Sequence, residues 1–139
     1  MIKVSVILTT YNSENQIQEV IDSIHKQEGR DELFELELLV VDDCSTDATQ
    51  TILFKNNIDF QFTSKNTGGP NHGRNIALSM CTGNYICIAD HDDIWFSNKM
   101  IQLLAVVDLA PIISSGYILS DKSLSKEVSR ANNSADNAG

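Results

Sequence analysis

The chain has 139 residues, 42% of them hydrophobic and 21% charged, with a formal net charge of −9. That length suits one domain with a real core rather than two ordinary ones, and the composition is that of a soluble globular protein. The negative balance argues against nonspecific binding to a phosphate backbone, so nucleic acid is not an expected partner, and no apolar run has the length of a membrane span.

Taken in chain order, Val4 to Thr9 is a short apolar run that predicts a first strand. Ser13 with Gln16 three places on reads as a capping box, opening a helix with Ile17, Val20, Ile21 and Ile24 on one face. Leu36 to Val41 predicts the second strand, after which Ser45-Thr46-Asp47 supplies cap residues for a helix through about Phe54. Ile58 to Phe62 predicts a third strand, with Ile58, Phe60 and Phe62 on one side. The loop Ser64 to Gly69 leads to Pro70 at a helix start, and that helix runs to about Cys81 before Gly83. Tyr85 to Ala89 is the fourth strand. Ser97 caps a helix carrying Met100, Leu103, Leu104 and Val107 that ends before Pro111, and Ile112 to Leu119 is read as a fifth strand.

Strands alternating with helices predict an α/β fold, a mainly parallel sheet with helices on both faces and ligands beyond the carboxyl ends of the strands. From 122 onward the composition turns to Ser, Asn, Ala and Asp, so 122–139 is expected to be a flexible tail, or the place where a longer protein continues. Cys44, Cys81 and Cys87 are odd in number and lack Cys-x-x-Cys spacing. They read as free thiols of a reducing compartment, with the cytoplasm as default location.

The chemistry concentrates at strand ends. Asp90-His91-Asp92-Asp93 follows the fourth strand and Asp42-Asp43 ends the second. Carboxylates this close repel one another, and a divalent cation with oxygen ligands relieves the repulsion. An anionic ligand would make a bridging cation more necessary still. Asp42-Asp43 also admits a plainer role in the turn before a helix; alternatively one carboxylate turns inward as an organiser while the other accepts a hydrogen bond from a ligand such as a nucleobase. Thr9, Tyr11 and Asn12 offer a hydroxyl, an aromatic face and an amide to a planar base. Gly68-Gly69 permits close backbone approach, and Arg74 near a helix start suits an anionic or polar ligand group. Trp95 reads as an aromatic anchor beneath the acidic loop. His25, His72 and His91 show no metal-ligand spacing and are taken as surface or loop residues.

Together, Val4 to Asn12, Val40 to Asp47, Asn66 to Pro70, Arg74-Asn75 and Asp90 to Asp93 resemble the motifs of family 2 glycosyltransferases, over residues 2 to about 110. The resemblance implies the GT-A fold, here truncated on its C-terminal side, with 1–121 as the nucleotide-sugar-binding part. It also implies a nucleoside-diphosphate-sugar donor, with uridine the first base to test, and Mg²⁺ or Mn²⁺. By position, Thr9, Tyr11 and Asp43 match residues that hold the base, with Asp42 beside them; Asp90 lies near the ribose, and Arg74 helps shape the nucleotide pocket. Asp92 matches the carboxylate on the metal that bridges the diphosphate. The family usually has proline at Thr10 and glycine at Cys44. Its general base lies on a later segment that this chain is expected to lack, and Asp121 stands too early to replace it.

The expectation is therefore the donor-binding part of a metal-dependent inverting enzyme that transfers a sugar to a glycan or lipid-linked acceptor in polysaccharide synthesis. Membrane association of the full-length protein and a homodimer are carried as open alternatives, although no segment of this chain has the length of a membrane span. The rival is a noncatalytic nucleotide-sugar-binding domain. Phosphoryl transfer through an aspartyl nucleophile is disfavoured, because the position after the first strand carries Thr9-Thr10-Tyr11.

Overall fold

The computed structural model describes residues 1–116, with the backbone of 118–120 and 127–130. It contains two compact units, Met1–Phe96 and Ser97–Gly139. The first unit is built in the order β1 (Ile2–Thr10), α1 (Ile17–His25), β2 (Phe34–Asp42), α2 (Thr49–Lys55), β3 (Phe60–Phe62), α3 (Asn71–Met80) and β4 (Tyr85–Asp90). Its four strands form one parallel sheet in the order β3-β2-β1-β4. Every residue of β1 from Val4 to Thr10 is buried, as a central strand covered on both faces requires.

α1 forms from a local apolar stripe. In α1, Ile17, Val20, Ile21 and Ile24 are all buried, and each such side chain contributes roughly 1.5–3 kcal/mol relative to exposure. α3 packs on β1 and β2 through a core of Ile7, Val41 and Ala77. Gly73 of α3 allows that approach: a Cβ there would stand 3.0 Å from Thr9 Cγ2 and 3.3 Å from Val41 Cγ1. Gly83 is closer still to β1, since a Cβ would meet Ser5 N at 2.7 Å and Lys3 O at 2.8 Å. All three cysteines are free.

Several boundaries differ from the sequence expectation. Ser13 does not cap α1. Its N–H donates to Thr49 Oγ1 and its carbonyl accepts from the Gln16 and Ile17 N–H groups, so the helix starts at Ile17. The signal that looked local joins two loops: Asn12 N–H donates to Ser45 Oγ, Thr46 N–H to Asn12 Oδ1, Glu14 N–H to Asp47 Oδ2 and Ala48 N–H to Glu14 Oε2. β3 keeps only three residues, because Asn57 takes a left-handed φ of 56° and the Ile58 N–H closes the end of α2 on the Leu53 carbonyl.

In the second unit, α4 (Lys99–Leu104) is shorter than expected and begins after Asn98 rather than Ser97. The expected fifth strand also changes character. Residues 112–116, which carry Ser114, Ser115 and Gly116, form no strand, as such a turn-prone cluster favours. β5 (Ile118–Ser120) pairs antiparallel with β6 (Glu127–Arg130) in a separate two-stranded sheet instead of extending the parallel one. The proposed tail lies outside the described residues except for β6, as does Asp121.

Candidate functional site

Parallel pairing brings the strand ends to one edge. Thr10 is in register with Asp42, Thr9 with Asp90 and Asp42 with Phe62. The chain winds from β1 outward through β2 to β3 and then returns to the other side of β1 for β4, so the order reverses between β1 and β4. A crevice opens at such a reversal in an open α/β sheet. Here it is a cleft of about 320 Å³. One wall is Thr9, Thr10 and Tyr11 with Asp43; the other is Asp90, His91 and Asp92; Asn66, Gly68, Gly69 and Pro70 line the remainder.

The two acids after β2 have different tasks. Asp42 is 0% exposed, and its carboxylate accepts from Thr10 Oγ1 (2.7 Å), Ser45 Oγ (2.6 Å), Ser45 N (2.9 Å) and Gln50 Nε2 (2.7 Å). It organises the turn from within and is not among the residues lining the cleft. Asp43 does line the cleft, 6% exposed, and its carboxylate accepts from Thr63 Oγ1, Thr67 N and Thr67 Oγ1 at 2.8–3.1 Å. Burial would raise the Asp43 carboxyl pKa, but the donors from Thr67 and Thr63, aided by His72, outweigh it and hold the pKa below the ordinary value. Asp43 thereby ties the 63–67 loop to the sheet edge. Cys44 follows with φ 61°, the left-handed conformation glycine adopts without strain.

On the β4 side, Asp90 Oδ1 accepts from Arg74 Nη2 at 2.8 Å. Arg74 reaches the site only through this pair, since it does not line the cleft. Asp92 is exposed and, among the described residues, is the one of the three cleft carboxylates left uncommitted. Tyr11 is 41% exposed at the mouth, so its ring is accessible. Trp95 is buried behind the acidic loop as an anchor.

Two buried nitrogens beside the cleft, Arg74 Nε and His91 Nδ1, have no hydrogen-bond partner among the described residues. His91, taken from sequence for a surface or loop residue, is a half-buried part of the wall between two carboxylates. Its place inside the acidic tetrad was the available signal. Thr63, Thr67, Ser45 and Gln50 were also missed; nothing local marks a threonine as the partner of an aspartate 20 or 24 residues away.

Among the described residues no lysine or arginine lines the cleft, which presents three carboxylates. Among the described residues no group of three or more His, Cys, Asp or Glu side chains is placed to hold a metal alone. The donors instead fit a hard cation of the Mg²⁺ or Mn²⁺ type, which takes one or two carboxylates and completes its shell with phosphate oxygens and water. Among the described residues, no helix is long and apolar enough to cross a membrane.

Known proteins match this arrangement. The model of glycosyl transferase family 2 matches residues 5–130. The poly(ribitol-phosphate) beta-N-acetylglucosaminyltransferase TarS of Staphylococcus aureus is 38% identical over 112 residues, 78% of this chain and 19% of that protein. The crystal structure of TarS residues 1–349 in complex with UDP-GlcNAc superposes with a TM-score of 0.69 at 37% identity, covering 78% of this chain and 32% of that one. A mannosyltransferase of Pyrobaculum calidifontis, solved with GDP-Man and Mn²⁺, gives a TM-score of 0.65 at 29% identity, covering 86% and 35%. The chain thus spans about a fifth to a third of the length of these proteins, and its first unit carries the GT-A fold they share. This chain belongs to glycosyltransferase family 2.

Proposed function

We propose that the cleft binds a nucleoside-diphosphate sugar, a UDP-sugar first among them, together with Mg²⁺ or Mn²⁺, as the donor half of an inverting glycosyl transfer. The observation that carries this reading is the charge of the cleft: among the described residues Asp43, Asp90 and Asp92 line it without a lysine or arginine, and Arg74, outside the lining, pairs with Asp90 alone while Asp92 stays uncompensated. A diphosphate entering that wall alone would be repelled, and a cation between it and Asp92 reverses the sign of the interaction. The bound forms of the relatives, UDP-GlcNAc in one and GDP-Man with Mn²⁺ in another, support the donor class.

Each residue then has a defined task. Tyr11 offers its ring to the base, with Thr9 and Asp43 at the base edge; the Asp43 carboxylate is kept ionised as an acceptor by its threonine donors. Asp42 acts one step removed, by fixing the turn that carries Asp43. Asp90 stands at the ribose, its orientation set by Arg74. Asp92 would hold the cation, whose charge would offset that of the departing diphosphate. In an inverting transfer an acceptor hydroxyl, deprotonated by a general base, attacks the sugar carbon in line. No residue of this chain is assigned that base, and a glycan or lipid-linked acceptor is assigned to the whole protein. A binder without turnover draws no support from relatives named for sugar transfer.

Asp92→Asn tests this assignment, because it removes the charge and keeps the shape. Calorimetric titration of UDP in MnCl₂ is expected to show affinity reduced at least about tenfold, the scale of losing a metal ligand's support. Affinity equal to that of the unaltered chain would contradict the role of Asp92.

A further inference from the structure

The acidic loop is held at its exit by Ser23 of α1 and by Gln27 just past the end of that helix. Asp93 N–H closes a turn on the Asp90 carbonyl at 3.2 Å, and two residues later the chain is fixed twice. Trp95 N–H donates to Ser23 Oγ at 3.1 Å, and the Phe96 carbonyl accepts from Gln27 Nε2 at 2.7 Å. The same amide of Gln27 donates to the Ser23 carbonyl at 3.1 Å, and the Ser23 hydroxyl donates to the Val20 carbonyl at 2.8 Å. Trp95 and Gln27 are 6% and 4% exposed. Buried polar groups linked in this way resist displacement, because moving one leaves its partners unsatisfied away from water.

Ser23 lies in the last turn of α1 and Gln27 just beyond its C-cap Lys26, and the Gln27 amide folds back onto the Ser23 carbonyl. α1 follows the loop that carries Tyr11, and its last turn, with Gln27 beyond it, holds the segment leaving Asp90–Asp93.

We propose that Ser23 and Gln27 are positioning residues for the acidic loop: by pinning the backbone of Trp95 and Phe96 they set where the Asp92 carboxylate stands. The consequence for the cation rests on the proposed role of Asp92; the clamp itself does not. Ser23→Ala removes both the acceptor for Trp95 N–H and the donor to Val20, Gln27→Leu removes the amide at similar size, and Ser23→Thr keeps a hydroxyl.

The test uses the chain's single tryptophan. Acrylamide quenching of Trp95 fluorescence is expected to rise in Ser23→Ala and Gln27→Leu and to return to the original level in Ser23→Thr. In the same proteins UDP affinity in MnCl₂ is expected to fall about tenfold, the usual effect of losing a group that orients a metal ligand, while binding of uridine without metal, read by ligand-observed NMR, stays unchanged. Quenching unaltered in both variants would overturn the clamp, and an equal loss of uridine and UDP binding would reduce it to general packing. UDP binding that ignores Mn²⁺ in the unaltered protein would count against the Asp92 assignment, with the quenching result still deciding the clamp. Should the variants fail to fold, amide exchange in the unaltered chain decides it: protection at Trp95 supports the clamp, and exchange at the unprotected rate overturns it.

Discussion

Asp42, Asp43 and Asp92 are the same side chain with three fates, set by what surrounds each. Four donors converge on Asp42, so replacing one of its oxygens by an amide NH₂ would set donor against donor in a buried turn. Asp42→Asn is expected to cost about 2–3 kcal/mol of stability in urea unfolding, a loss seen with or without nucleotide. A nucleotide-specific loss at unchanged stability would return Asp42 to the ligand side. Cys44 carries the opposite kind of cost, backbone strain at φ 61°. Cys44→Gly relieves it but adds freedom to the unfolded chain, and a net gain of about 0.5–1 kcal/mol is expected; a lower urea midpoint would refute the strain. The sequence made Asp43, Asp90 and Asp92 readable as strand-end acids. It could not separate Asp42 from Asp43, because their roles depend on Thr10, Gln50, Thr63 and Thr67, which only folding brings near.

At the scale of elements, the long apolar runs of β1, β2 and β4 and the stripe of α1 were legible because each expresses its burial in a local pattern. Elements held by distant partners were not. Ser13 looked like a helix cap and instead joins two loops, while Ser23 and Gln27 carried no signal at all. The end of the sheet away from the cleft shows the same principle. Glu37 on β2 accepts from Ser5, Thr82 and Lys3, tying together β1, β2 and the turn before β4. Burial opposes its ionisation, but the donors from Ser5, Thr82 and Lys3 prevail and lower its pKa to about 2. A carboxyl with a lower pKa folded than unfolded binds fewer protons in the native state, so its contribution is complete above the unfolded value and lost as pH falls through the folded one. Between about pH 4.5 and 2 the chain should lose on the order of 2 kcal/mol through Glu37, after allowance for solvent screening at the partly exposed Lys3. Asp43 and Asp47, whose pKa values are also lowered, add loss of the same sign. Urea unfolding across that range should show Glu37→Gln with a shallower pH dependence; equal slopes would remove Glu37 as a cause.

For the molecule as a whole, one edge of a parallel sheet gathers acidic groups in a chain that already carries a net charge of −9. An acid cleft in an acid protein would repel a diphosphate on its own, and that is why the proposed donor is paired with a cation. That inference was available from the sequence in outline, since strand-end acids imply a shared site once the strands are parallel. The parallel register of β1 with β2 and β4 was needed to turn it into a single cleft. The account is tested most directly by calorimetric titration of UDP into the unaltered chain, first with a chelator and then with MnCl₂. Binding is expected only in the presence of Mn²⁺, with affinity restored by Mg²⁺ in its place; equal affinity under chelation would contradict the account.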